Sequence, residues 1–239
     1  MNYEEIEKFI AGGCNLEGLI VQTGDEIREA SKLGYEQEWL DCRLMLISSI
    51  NLLLNFRACV PGETNESNSD RLILLISLIQ GISYTESLIS EGQYIKAAAC
   101  LKQDYEIITR VNEVKIGKAK PKVTPNVKHA PAGSQRIYGE LNDISHPSNI
   151  NILLDLVNKF ENGEVKGVSP QPKYHNEISR SLYQLHVWLL FETLREMMML
   201  KVDLYGKDIL EEVEIVKIQF LAAHKLLLQT GFEIVEEKI

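Results

Sequence analysis

Apolar residues recur along this chain at i, i+3, i+4 and i+7, the spacing that lines one face of an α-helix. No segment carries the β-branched alternation that marks a strand. Proline placement sharpens the pattern. Six of the seven prolines (Pro121, Pro125, Pro131, Pro147, Pro170 and Pro172) lie mid-chain, and none occurs from Gly62 to Lys120 or after Pro172. Because proline breaks helix interiors, those two clear zones are where long helices run. The pattern predicts a helix over residues 3–10, loosened at Gly12-Gly13, resuming over 16–32 and capped at Gly34. A second covers 35–58 and stops at Pro61. The polar run 62–69 supplies N-caps, and Ser69 or Asp70 starts a third helix that reaches residue 90. Glu91-Gly92 turns the chain into a fourth, 93–114. Beyond an irregular connection come helices over 135–145 and 149–160, a loop over 161–172, and two long helices over 174–204 and 207–229. The last carries the stripe Ile209, Val213, Val216, Phe220, Ala223, Leu227, and Gly231 ends it.

Short turns between long helices force neighbours to run antiparallel. The expected fold class is therefore all-α: a mostly antiparallel helical bundle of seven or eight helices in a single domain over 1–239. Residues 115–174 form an irregular lysine- and proline-rich insertion against it.

Composition changes this picture little. Hydrophobic residues make up 45% and charged residues 25%, which is ordinary globular usage. A net charge of −9 argues against indiscriminate binding to nucleic acid or anionic membrane, and no specific DNA-reading motif is present. The start, M-N-Y-E-E-I-E-K, lacks the apolar core of a secretion signal, and the longest uncharged runs are too short to span a membrane and read as core helices. The four cysteines, Cys14, Cys42, Cys59 and Cys100, sit in apolar helical contexts without zinc-like spacing. They are expected to be buried, reduced thiols in a cytoplasmic protein.

The candidate chemistry lies in two helices and the segment between them. In the helix 135–145, Tyr138, Asn142 and His146 follow at i, i+4 and i+8. His146 precedes Pro147, so its imidazole stands at the helix C-terminus, where the dipole favours a charged ring. It is expected either to cap the helix or to act as acid, base or anion-binding group. In the fourth helix Lys102, Glu106 and Arg110 have the same spacing. They are expected either to form a solvated ion-pair ladder or to turn Glu106 and Arg110 towards His146. Between the helices, residues 115–139 hold six basic residues and no acidic one, leaving 19 basic against 34 acidic elsewhere. A basic island on an acidic chain points to an anionic ligand or an RNA backbone, with Lys128 among its binding groups.

Three stretches carry a resemblance: Leu101, Gln103, Glu106 and Arg110; then T-P-N-V-K-H at 124–129; then Tyr138, Gly139, Leu141, Asn142 and His146-Pro147-Ser148. Over residues 95–150 this resembles a set of uncharacterised bacterial all-α proteins with an Arg/Glu helix followed by a Tyr-x-x-Leu-Ser-x-x-x-His-Pro-Ser helix. Lys102 and Asn142 stand where that set tends to have Arg and Ser. A more distant likeness is to the HEPN superfamily of helical bundles, many of them RNA-cleaving. Its active members carry Arg-x(4–6)-His at a helix end, with four to six residues between the two, whereas Arg136 and His146 are ten apart.

His186, His224, Trp188 and Met197–Met199 read as core or seam residues. His175 and Glu177 lack the Glu-x-x-His pattern of di-iron bundles, and no phosphate loop or hydrolase signature occurs, so neither metal nor cofactor is expected. Two readings remain open. One is binding of an anionic ligand or RNA, with His146 and Glu106 as catalytic candidates and Lys102, Arg110, Lys128, Tyr138 and Asn142 as ligand-binding ones. The other is a non-catalytic interaction module in which His146 and Glu106 only join helices. Pairing into a homodimer is compatible with both.

Overall fold

The computed structural model describes residues 3–55, 64–146, 148–161 and 164–230. Among them the chain is an all-α bundle of eight helices with one small hairpin. In order these are α1 (Tyr3–Gly34), α2 (Gln37–Asn55), α3 (Glu66–Ser90), α4 (Tyr94–Lys115), a 3-10 turn (Val127–His129), α5 (Gln135–Ser145), α6 (Ile150–Val157), β1 (Asn158–Glu161), β2 (Glu164–Val168), α7 (Asn176–Tyr205), a second 3-10 turn (Gly206–Ile209) and α8 (Leu210–Gln229).

The hub is α7, which packs against α2, α3, α4 and α8. Its sequence explains that position. Val187, Trp188, Leu189, Leu190 and Phe191 are consecutive and buried, so the helix is apolar on every side and belongs inside. Phe191 stacks on Phe220 of α8 with ring centroids 4.1 Å apart. On α2, the Ser49 hydroxyl donates to Gln219 Oε1 of α8 at 2.5 Å. Ala97 and Ala98 on α4, a helix that packs against α3, α5 and α7, are fully buried, and residues this small let neighbouring helices approach closely. By length and composition α3 could cross a membrane. In the bundle Leu75, Leu78, Leu88 and Ile89 of this helix are core residues.

Several boundaries differ from expectation for identifiable reasons. α1 runs unbroken through Gly12-Gly13, since each glycine costs a helix about 1 kcal/mol without stopping it as proline would. It is exposed from Tyr3 to Leu19, and its buried residues, Gly24, Ile27 and Ser31, lie towards its end. Arg28 there pairs with Glu91 at 2.6 Å. Cys14 is consequently exposed rather than buried, Cys100 is half-buried, and only Cys42 is a sealed thiol, pushed up to about 12 by burial. The expectation for Cys59 lies outside the described residues. α3 begins a turn early because Asn65, not Ser69 or Asp70, caps it and accepts the Asn68 N–H at 2.8 Å. The turn at Gly92 is as expected. Its φ is +77°, and a Cβ there would sit 2.7 Å from the Lys173 carbonyl.

The hairpin was not expected. β1 and β2 pair antiparallel with an irregularity between Lys159 and Phe160, so α6 ends at Val157 rather than near residue 160. Four- and five-residue strands are too short for a period of two to register. The usable signal is Asn162-Gly163, the dipeptide most typical of tight hairpins.

Candidate functional site

α5 lies antiparallel along α4, and the sequence rows on the two helices meet in opposite order. The Tyr138 hydroxyl donates to Glu106 Oε1 at 2.9 Å, and Lys102 Nζ donates to Asn142 Oδ1 at 2.8 Å. The same ammonium lies 5.2 Å from the centre of the Tyr138 ring. Further along, the Tyr105 hydroxyl is 3.1 Å from both the carbonyl and the hydroxyl of Ser134, and Asn112 Nδ2 donates to the His129 carbonyl at 3.0 Å. Burial, with Glu106 beside it, pushes the Tyr138 phenol up to about 12, so it stays a donor at neutral pH. Lys102, Glu106, Tyr138 and Asn142 are thus brought together, as half-buried bonds across a helix pair.

His146 does not join them. It caps α5, with its backbone N–H on the Asn142 carbonyl at 2.9 Å, and its exposed ring places Nδ1 2.7 Å from the Ser148 hydroxyl. Tyr138, which bonds Glu106, precedes His146 by eight residues, or about 12 Å of helix. The expected turn of Glu106 towards His146 is therefore corrected. With Glu106 opposite Tyr138 and Lys102 opposite Asn142, His146 falls beside the N-terminal half of α4 and Arg110 near its other end.

Arg110 instead anchors the connection that follows α4. It pairs with Glu113 Oε2 at 2.8 Å, donates to the Lys120 carbonyl at 3.1 Å and also donates to the Val123 carbonyl. Glu113 is buried, and its other oxygen accepts the Asn126 N–H at 2.8 Å. Between the two carbonyls that Arg110 holds, Lys122 takes a left-handed φ of 60°, unusual for a residue with a side chain. The result is a fixed loop around a cleft of about 550 Å³ lined by Arg110, Glu113, Lys118, Lys120, Lys128 and His129, with Thr124 and Asn126 among its other walls. Arg110 is offset by Glu113. The Lys118, Lys120 and Lys128 side chains are exposed, with no hydrogen-bonding or ionic partner among the described residues. Comparison with protein families, curated proteins and solved structures finds no match.

The cleft therefore has to be read from its own chemistry. Three unpaired ammonium groups around a volume of small-molecule size suit an anion. Of the ligand-binding candidates, only Lys128 and Arg110 line it. Lys118 and Lys120 belong to the basic island and His129 ends the T-P-N-V-K-H stretch, but nothing in their spacing singles them out as cleft residues. The other histidines fall elsewhere. His186 is buried in α7, pushed down to about 3 by burial and secondarily by Arg43, and His224 lies beside Phe191. Asp104, facing the interior from α4, is pushed up to about 7 by burial, against a hydrogen bond with Thr85. Among the described residues, no group of three or more His, Cys, Asp or Glu is placed to hold a metal.

Proposed function

We propose that this protein is a binding module for a small, phosphate-bearing anion, taken up in the lysine-lined cleft at the end of α4. Under this reading the Tyr138–Glu106 and Lys102–Asn142 bonds hold α5 in place and carry no chemistry. One observation carries the proposal: Lys118, Lys120 and Lys128 surround a cleft whose walls are already tied down by Arg110 and Glu113. A pre-fixed loop binds at lower entropic cost than one that must order around its ligand. The volume suits one or two phosphate groups with a small substituent better than a length of RNA.

Cleavage of RNA has less support. Arg136 pairs with Glu140 at 2.9 Å and is largely exposed, while His146 Nδ1 is engaged with Ser148. Neither is turned towards the cleft lysines by any bond among the described residues.

Calorimetric titration with inorganic pyrophosphate at low salt tests the reading. Binding is expected to weaken as salt rises, and to fall at least about tenfold in the charge reversals Lys118→Glu and Lys128→Glu, the loss of one close charge contact. His146→Ala should bind as the parent does. No binding by the parent, or binding indifferent to both reversals, rejects the proposal. Binding of a single-stranded RNA oligonucleotide much tighter than pyrophosphate, with a steep salt slope, would replace the small anion by RNA.

A further inference from the structure

A second hollow, of about 750 Å³, lies against the same 3-10 turn. Lys128 and His129 line both it and the lysine-lined cleft. Its other walls are different in kind. Met198, Met199 and Val202 from α7 and Val213, Phe220 and Leu221 from α8 give it an apolar surface. Thioethers bend to fit irregular chains, which suits a wall meant to receive flexible hydrocarbon.

The charged groups in this hollow cancel one another. Glu196 is fully buried, with Lys115 Nζ 3.6 Å away and Arg195 Nη2 3.7 Å away. Asp203 is paired with Arg71 at 2.6 Å, and Glu214 with Lys217 at 3.5 Å. Arg195 also pairs with Glu192 at 2.7 Å. Each acid is met by a base, so the hollow offers apolar contact without a strong net field. Unpaired positive charge appears only where it meets the first cleft, at Lys128 and then at Lys118 and Lys120.

We infer that the two hollows form one elongated site for a single-chain amphiphile, a free alkyl phosphate monoester. Its phosphate sits among Lys118, Lys120 and Lys128, and its chain crosses the turn at His129 to lie along Met198, Val202 and Leu221. This rests on the proposed anion site and names the class of anion. The charge pattern selects the occupant. A fully apolar ligand would leave the lysines unused, and a compact anion would leave the larger, charge-balanced hollow empty. A dianionic head joined to a hydrocarbon tail matches both halves.

Calorimetry with inorganic phosphate, butyl phosphate and octyl phosphate, each below the concentration at which it forms micelles, tests this. Affinity should rise with chain length, octyl phosphate binding about a hundredfold or more tighter than inorganic phosphate, as expected when several methylenes leave water. Leu221→Glu, at a residue 48% exposed and so tolerant of charge, should remove most of that gain and leave inorganic phosphate binding unchanged. Met198→Gln is the second probe of the same wall. Lys120→Glu should weaken all three ligands in proportion. If inorganic phosphate binds but octyl phosphate binds no tighter, the tail site is wrong and the anion site stands. If chain length matters but neither wall variant reduces the gain, the chain lies elsewhere and the inference fails. If nothing binds, both readings fall. Association with vesicles containing phosphatidic acid, without binding of monomeric octyl phosphate, would also overturn it, because the occupant would then be a membrane surface.

Discussion

Asp104 and His186 are titratable side chains enclosed by the bundle, and their effects on stability run in opposite directions. Burial raises the Asp104 carboxyl from 3.8 to about 7. Between those values the folded protein keeps a proton that the unfolded chain has released, so this group costs more stability as pH rises, with the full cost above about 7. Burial lowers the His186 imidazole from 6.5 to about 3. Below 6.5 the unfolded chain takes up a proton that the folded state refuses, so this group costs more stability as pH falls. From about pH 4 to pH 6.5 the two slopes, each about 1.4 kcal/mol per pH unit, offset one another. Asp104→Asn should therefore make stability climb with pH across that window, and His186→Gln should make it decline. Urea unfolding at four pH values reads this directly. Profiles parallel to the parent's would show that the two groups do not titrate as buried residues. The sequence displays His186 as an ordinary core residue and does not single out Asp104, because burial of a titratable group is a property of what packs over it.

Helices were the most legible elements, and their packing was the least. Proline-free zones and the 3.6-residue stripes place α4, α5, α7 and α8 and the start of α2 to within a few residues, while the expected end of α2 near Ala58 lies outside the described residues. The rows Lys102–Glu106–Arg110 and Tyr138–Asn142–His146 were also legible, each as a face. Which end of one row meets which end of the other depends on helix direction, and direction alone separates Arg110 from His146. The same limit hid the role of Glu196. That carboxylate, from α7, has no direct hydrogen bond among the described residues, yet lies within 4.0 Å of Arg71 on α3, Lys115 on α4 and Arg195 on its own helix. Removing one member of a buried charge group leaves the rest uncompensated. Glu196→Gln is expected to lower stability by about 3 kcal/mol, measured as the shift in denaturant midpoint, whereas Glu196→Gln with Lys115→Met should recover part of the loss. A single variant as stable as the parent would mean the three cations are indifferent to the carboxylate.

At the scale of the whole molecule, the acidic surface and the basic island are segregated rather than mixed. The net charge is −9, yet α4 ends in a cluster of lysines whose loop turns back on the helix. Phosphate steered to that end by the lysines would meet one fixed surface. That surface depends on a single clamp, Arg110 with Glu113, gripping the carbonyls of Lys120 and Val123 and the Asn126 N–H. A protease that cuts after lysine needs several residues of slack chain to thread its active site. Lys118, Lys122 and Lys128 should consequently resist trypsin in the intact protein despite their exposure, and become the first sites nicked in Arg110→Ala with Glu113→Ala, where both halves of the clamp are removed. Equal digestion rates for both proteins would mean that the loop opens regardless of the clamp. With the clamp closed, the stretch richest in cleavage points along this chain owes its survival to one guanidinium and one carboxylate a turn apart at the end of a helix.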